Sequence, residues 1–146
     1  MQQIQNLRSV IAIFWLGFFM AISFMEAPLK FMTPGISIST GVAIGRVVFS
    51  ALNKCEWIFF LILLATWFLN RPRKIVTIMM FAVGVVLLLQ TFWVLPILDE
   101  RAAMISRSLS VPQSNMHVVY VILEIIKVPV LFVIGWKSIY RTLLFA

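Results

Sequence analysis

Four long apolar runs, separated by short polar stretches, dominate the pattern of hydrophobic and polar positions along this chain. The runs extend from Ser9 to Ala27, from a start between Val42 and Arg46 to Leu69, from Ile75 to Leu98, and from His117 to Trp136. About 20 residues of α-helix cross the hydrocarbon core of a bilayer. The pattern therefore predicts an all-α integral membrane protein, folded as a bundle of four transmembrane helices.

The stretches between the runs contain residues that interrupt helices. Pro28 is expected to close the first helix, and Asn70-Arg71-Pro72 to end the second. The segment from Pro28 to Gly45 is rich in Gly, Pro, Ser and Thr, which predicts an interfacial or re-entrant segment after the first helix. A polar, partly helical loop is expected from Asp99 to Asn115. The first run resembles a signal peptide, and we interpret it as a retained membrane helix.

Composition supports a membrane environment and a single domain over residues 1–146. Hydrophobic residues make up 62% of the chain and charged residues 12%, whereas soluble domains carry roughly a quarter charged residues. The mean hydropathy is +1.06. Cys55 is the single cysteine, so an internal disulfide is excluded.

The net charge of +7 arises from Lys and Arg residues beside the apolar runs, where membrane proteins keep the charges that set their topology. We therefore expect the lipid bilayer, and no nucleic acid, as the partner of this charge. Arg71, Arg73 and Lys74 crowd one short loop on the side that holds both termini. This cluster predicts that both termini are cytoplasmic.

Polar side chains within the runs are the candidate functional groups, because ionisable residues in a membrane span are costly and usually face the bundle interior. Counting about 1.5 Å of rise per residue from the expected helix ends on the side of the termini, Glu56 lies about 19 Å up the second helix, and Gln90 about 22 Å up the third. By the same rise, Glu124 lies about 18 Å up the fourth helix and Ser23 about 21 Å up the first. The four helices therefore place polar groups at one level.

Helical spacing places many of these groups on shared faces. One stripe of the fourth helix contains His117, Tyr120, Glu124, Lys127 and Leu131, and one stripe of the second contains Arg46, Ser50, Asn53, Glu56 and Phe60. Both stripes are expected to face inward and to form a polar pocket open to the outer leaflet. The candidate ligand-binding residues are Glu56, Glu124, Lys127, Gln90, Asn53, Arg46, His117, Tyr120 and Glu26.

The same polar residues also fit a structural role. Glu124 and Lys127 are spaced to pair along their helix, and Asn53 and Gln90 are suited to hydrogen bonds between helices. Glu56 would then need Lys54, Arg46 or a proton as its partner. On the third helix, Thr77, Gly84 and Thr91 recur at every seventh position, which predicts a seam of small residues for close helix packing.

Metal and catalytic signals are weak. His117 is the single histidine, which excludes a site with several histidines. One imidazole with nearby thioethers would suit Cu(I); the candidate methionines are Met25, Met32, Met104 and Met116. Methionine is more often a filler of packing gaps, so we predict no metal site. No motif identifies a catalytic residue or a cofactor.

The stretch from Ser23 to Phe31, which ends the first helix in Ala27-Pro28 and a following phenylalanine, resembles the transmembrane-protein-two-oh-five-like family of small four-helix membrane proteins. Gly45-Arg46 before the second helix and the stretch Ser114 to His117 before the fourth are similar to that family too. The resemblance implies the four-helix architecture and no mechanism.

Three classes of function fit this sequence. The first is a pocket in the outer leaflet that binds or transports a small amphipathic molecule or ion; transport by a chain of four helices would call for a homo-oligomer. The second is a membrane-embedded enzyme acting on a quinone, porphyrin or lipid, with Glu56 or His117 as acid or base. The third is an accessory subunit whose outer surface binds a partner membrane subunit. We favour the first.

Overall fold

The computed structural model describes residues 2–107, 109, 111 and 114–144, with side chains up to residue 139 except that of residue 106. This part of the chain forms four long helices and no strand. Helix α1 is Gln2–Met32 and α2 is Ile38–Leu69. Helix α3 comprises Lys74–Leu89, Gln90–Val94 and Leu95–Ser106, and α4 is Met116–Leu144.

The break between α1 and α2 is short, and local capping explains where it ends. Only Thr33–Ser37 separates the two helices, with Gly35 at a φ of +83° in the left-handed region that favours glycine. Ser37 is the N-cap of α2, and its side-chain oxygen accepts a hydrogen bond from the Thr40 N–H at 3.1 Å. Helix α2 therefore begins at Ile38, earlier than the expected start between Val42 and Arg46.

Two prolines that were expected at or near helix ends lie instead inside continuous helices. Pro28 was predicted to close the first helix, but α1 continues to Met32; a π-helical segment, Ala21–Glu26, immediately precedes the turn with Pro28. Helix α3 repeats the arrangement, with π-helical Gln90–Val94 just before Pro96. A proline ring clashes with the carbonyl four residues earlier in an α-helix, and a widened turn relieves that conflict.

Each helix packs against its neighbours in chain order, and α4 closes the bundle against α1. The core contains Ala12, Trp15, Phe19, Leu52, Leu63, Val76, Met80, Val83, Leu87, Leu131 and Ile134. The predicted seam on α3 faces α2. Trp67 Nε1 donates to Thr77 Oγ1 at 3.3 Å, the Phe60 ring packs over Gly84, and Trp57 Nε1 donates to Thr91 Oγ1 at 2.9 Å.

The outward surface of the bundle is strongly apolar. Val10, Ile58, Phe81, Phe92 and Ile125 are all at least half exposed, and each of the four helices is long and apolar enough to cross a membrane. On α4, the side opposite the polar stripe is exposed at Val118, Ile122 and Ile125. The fold has the architecture of a multi-pass membrane protein.

Arg8 connects the first turns of α1 to the end of α2 through hydrogen bonds. An arginine directly before an apolar run is usually an exposed charge that sets topology, but Arg8 is 2% exposed. Its guanidinium donates to Thr66 Oγ1 at 3.1 Å, to the Thr66 carbonyl at 2.9 Å and to the Asn70 carbonyl at 2.6 Å. Arg8 therefore donates to the Asn70 carbonyl just beyond the last residue of α2, and it is a second donor to the Thr66 carbonyl, which also accepts from the Asn70 N–H.

Candidate functional site

A cluster of charged and polar side chains lies in the middle of the bundle, built from α2, α3 and α4. Glu56, Gln90 and Lys127 are 0% exposed and Glu124 is 1% exposed. Lys127 Nζ donates to Glu124 Oε1 at 2.9 Å and also to Glu56 Oε1, while Gln90 Nε2 donates to Glu124 Oε1 at 2.7 Å. We call these four residues the carboxylate cluster.

Helix α1 contributes two aromatic residues to the carboxylate cluster. Trp15 Nε1 donates a hydrogen bond to Glu56 Oε1 at 2.9 Å, and the ring centroid of Phe19 lies 4.9 Å from Lys127 Nζ. The ammonium group therefore contacts two carboxylates and one aromatic face. An ammonium group has three N–H donors and no acceptor. The two carboxylates and the aromatic face therefore compensate its positive charge.

Three acceptor oxygens of the cluster remain without a hydrogen-bond donor among the described residues. They are Glu56 Oε2, Gln90 Oε1 and Glu124 Oε2. The Tyr120 hydroxyl lies beside Glu124 and Ser23. Buried polar atoms are usually hydrogen-bonded, so acceptors exceed donors within the four side chains of the cluster; the Ser23 hydroxyl, beside Tyr120, also has no partner among the described residues.

A second polar group joins α2 to α3 close to the carboxylate cluster. Asn53 Nδ2 donates to Thr91 Oγ1 at 3.0 Å, the same oxygen that accepts from Trp57, and the Thr91 hydroxyl donates to the Leu87 carbonyl at 2.7 Å. Asn53 therefore forms the hydrogen bond between helices that the structural interpretation predicted. Thr91 is the shared centre of this second group.

A cavity of about 1070 Å³ lies next to the cluster, bounded by all four helices. Its apolar wall includes Phe24, Phe31, Phe49, Leu95 and Val121, and its polar lining includes Ser23, Asn53, Thr91, Tyr120 and Glu124. Pro28 and Pro96, which follow the two π-helical segments, also line it. The volume suits a small organic molecule, since sites for such ligands measure roughly 300–1,000 Å³.

Glu124 is the buried carboxylate that lines this cavity. Two of the cations that line it have acidic partners: Lys30 Nζ lies 3.3 Å from Glu26 Oε2, and Arg46 Nη2 donates to Asp99 Oδ2 at 2.8 Å. The ammonium group of Lys30 also lies 5.1 Å from the ring centroid of Phe49. The cavity therefore presents a buried carboxylate, two compensated cations and an aromatic wall.

Lys54 and His117 also line the cavity, and both are exposed. The sequence placed His117 and Arg46 on inward stripes, and the structure places both at the exposed part of the cavity lining. Glu26 is paired with Lys30 and is absent from the cavity lining. Glu56 and Gln90 lie behind Glu124, within the cluster rather than on the cavity surface.

Two of the partners suggested for Glu56, Lys54 and Arg46, were wrong. If Lys127 paired with Glu124, then Lys54, Arg46 or a proton was expected at Glu56, but Lys127 contacts both carboxylates, Arg46 pairs with Asp99, and Lys54 is exposed. One cation thus serves two carboxylates. This is possible because Glu56 and Glu124 approach the same nitrogen from different helices.

Trp15 was not among the predicted site residues. Spacing along α1 contains the signal that identifies it, because Trp15 shares a stripe with the buried residues Arg8, Ala12 and Phe19.

In the described residues, no group of three or more His, Cys, Asp or Glu side chains is arranged to hold a metal ion. Searches against protein-family models, curated proteins and solved structures find no match to this chain.

Proposed function

We propose that this chain is a multi-pass membrane protein that binds a small amphipathic molecule or ion in the cavity beside Glu124, for transport across or within the bilayer. The observation that carries the proposal is Glu124 itself. This carboxylate is 1% exposed, keeps one oxygen without a donor, and lines a cavity of about 1070 Å³. Ionisable groups in such positions usually mark ligand or ion pathways.

The membrane setting accounts for the exposed apolar side chains and for the four long helices. We place both termini in the cytoplasm, because Arg71 and Arg73 in the short α2–α3 connection and Lys74 at the start of α3 lie at that end. In this orientation, the cavity opens toward the outer leaflet. Retention of the protein in membranes after alkaline carbonate washing tests insertion, and a compartment-sensitive reporter fused to the C-terminus tests orientation.

The competing interpretation is that the cluster only holds the helices together, as in an accessory subunit. A purely structural cluster needs neither a neighbouring cavity nor free acceptor oxygens, and this one has both. The aromatic side chains around the cavity add an apolar surface that an amphipathic molecule would contact. These features favour binding over a structural role alone.

The test is native mass spectrometry of the protein purified in mild detergent, followed by elemental analysis and organic extraction. We expect a retained small molecule or ion that is lost in Glu124→Gln and kept in Glu100→Gln. Glu100 is a suitable control because it is exposed and does not line the cavity. The same spectra give the oligomeric state, for which transport predicts more than one copy.

Loss of the bound species in both variants would point to global damage, which the melting temperatures of the two proteins would reveal. Equal retention in wild type and Glu124→Gln would overturn the assignment of Glu124. A protein that retains nothing and binds no added amphiphile would overturn the proposed function.

A further inference from the structure

The charge of the carboxylate cluster does not balance when all its groups are ionised. Glu56 and Glu124 contribute two negative charges and Lys127 one positive charge, which leaves a net charge of −1 in a site that is 0–1% exposed. An uncompensated buried charge costs several kcal/mol even after local relaxation. The cluster therefore reaches neutrality only by taking up one proton or one further cation.

The hydrogen bonds of the cluster independently indicate that a positively charged or donating group is missing. The free oxygens of Glu56, Gln90 and Glu124 are all acceptors, so the group that completes the cluster must be a donor. Of these three residues, Glu124 is the one that lines the cavity. A ligand approaching from the cavity therefore meets a carboxylate oxygen that lacks a donor.

The groups around Glu124 leave its second carboxylate oxygen open to a cationic donor from the cavity. From α4, Lys127 and Tyr120 face its carboxyl group; from α2, Glu56 shares the Lys127 ammonium; from α3, Gln90 donates to it. From α1, the uncharged Ser23 faces the Tyr120 hydroxyl. Of the other charged groups lining the cavity, Lys30 pairs with Glu26 and Arg46 with Asp99, while Lys54 and His117 line its exposed part.

The cavity wall favours an apolar body attached to that cation. Phe24, Phe31 and Phe49 line the cavity together with Tyr120, and aromatic faces attract cations as well as apolar groups. The rings of Phe49 and Tyr120 meet edge to face, with centroids 5.2 Å apart, and Tyr120 is one helical turn before Glu124 on α4. An ammonium group at the carboxylate would thus keep its apolar portion against aromatic side chains.

We propose that the ligand is a cationic amphiphile, an amine on an apolar body, whose ammonium group donates to the free oxygen of Glu124 and displaces one proton from the carboxylate cluster. The displaced proton passes to solvent, and the ammonium charge replaces it, so the cluster stays neutral in both states. This proposal rests on the proposed function and specifies the chemistry of its ligand. Binding should consequently strengthen as pH rises.

Isothermal titration calorimetry on the protein in phosphatidylcholine nanodiscs tests the proposal with three probes that share one apolar body. The probes are 1-naphthylmethylamine, which is cationic at neutral pH, the neutral 1-naphthylmethanol and the anionic 1-naphthylacetate. We expect the amine to bind at least about tenfold more tightly than the other two, as one added charge contact implies. Its affinity should rise about tenfold per pH unit while the cluster still holds its proton, as the release of one proton requires.

Buffers with different heats of ionisation report the number of protons released. We expect about one proton per amine bound to the wild type, and neither release nor amine preference in Glu124→Gln. Glu100→Gln should behave as wild type. Glu56→Gln should also lose proton release, because its cluster is already neutral, while keeping the Glu124 oxygen as an acceptor.

The possible outcomes distinguish failure of the cationic-ligand proposal from failure of the proposed binding function. Equal binding of the amine and the alcohol, tighter binding of 1-naphthylacetate, or amine binding without proton release would overturn the inference and leave a binding cavity in place. Ala51→Trp, a change in the cavity lining, should weaken binding of every probe that enters the cavity. Failure of all three probes to bind the folded wild type would overturn both proposals.

Discussion

Replacing Lys127 with methionine removes the one cation from the carboxylate cluster while keeping a side chain of similar length. In the wild type, the Lys127 ammonium donates to Glu56 and to Glu124 and is 0% exposed. After the substitution, the two carboxylates lie near each other without a cation between them. The variant therefore tests whether this ion cluster stabilises the bundle.

The structure sets the expected size of the effect. Hydrogen bonds to charged groups contribute about 1.5–3 kcal/mol each, and Lys127 makes two. Removal of one partner from a buried ion pair costs about 3–5 kcal/mol, because the remaining charge stays buried. We expect Lys127→Met to lower the free energy of unfolding by about 3–5 kcal/mol.

Arg46→Met is the matched control. Arg46 is also paired with a carboxylate, but the side chains of Arg46 and Asp99 are 45% and 48% exposed. An exposed pair contributes little to stability, because water and salt screen it. Reversible unfolding by sodium dodecyl sulfate in mixed micelles, followed by tryptophan fluorescence, measures both variants against the wild type.

A loss for Lys127→Met no larger than that for Arg46→Met would refute the reasoning, since burial would then add nothing to the ion pair. A rescue experiment separates charge from packing. Adding Glu56→Gln and Glu124→Gln to Lys127→Met removes every charge from the cluster, and neutral replacements of buried ion pairs are often tolerated. We expect the triple variant to recover at least half of the lost stability.

Two further substitutions test packing and capping away from the site. Gly84→Leu should destabilise the fold by about 1–3 kcal/mol, because a Cβ there would lie 2.7 Å from Phe60 Cζ. Gly17→Leu is the control in the same unfolding assay, because a Cβ at Gly17 would meet nothing within 4 Å. Arg8→Lys should lower the unfolding midpoint and the free energy of unfolding by about 1–3 kcal/mol, because one ammonium cannot reproduce the forked donation to Thr66 and Asn70. An unchanged midpoint for Arg8→Lys would show that its charge alone matters.

The helices were predictable from the chain because apolar runs of this length have few alternatives to helix. The ends of α1 and α3 were not. Pro28 and Pro96 normally favour a helix end, and the π-helical segments before them, which keep both helices continuous, leave no recognisable mark in the amino-acid pattern.

The rise counted along each helix placed Glu56, Gln90 and Glu124 at one level, and these three residues belong to the carboxylate cluster. On α1 the same count selected the wrong residue. The expected first helix began at Ser9, whereas α1 begins at Gln2. Counted from Gln2 at about 1.5 Å per residue, Trp15 rather than Ser23 lies at the level of Glu56, about 20 Å along the helix. The hydrogen bond from Trp15 to Glu56 agrees with this corrected count.

Burial of Arg8 and the shared use of Lys127 could not be derived from single helices. An arginine beside an apolar run is usually a charge that sets topology, and its burial here depends on the Thr66 and Asn70 carbonyls of another helix. In the same way, the spacing of Glu124 and Lys127 predicted their contact, but only the arrangement of α2 beside α4 brings Glu56 to the same ammonium.

The connection between Glu56 and Lys127 also constrains how the protein is made. These residues are 71 positions apart, so the ribosome synthesises the acidic partner well before the basic one. Until α4 has been made, α2 carries a carboxylate whose ammonium partner does not yet exist, and a nascent chain truncated after α3 should be degraded faster than the full chain. Stable packing of the first three helices should therefore wait for α4, which supplies the Lys127 ammonium.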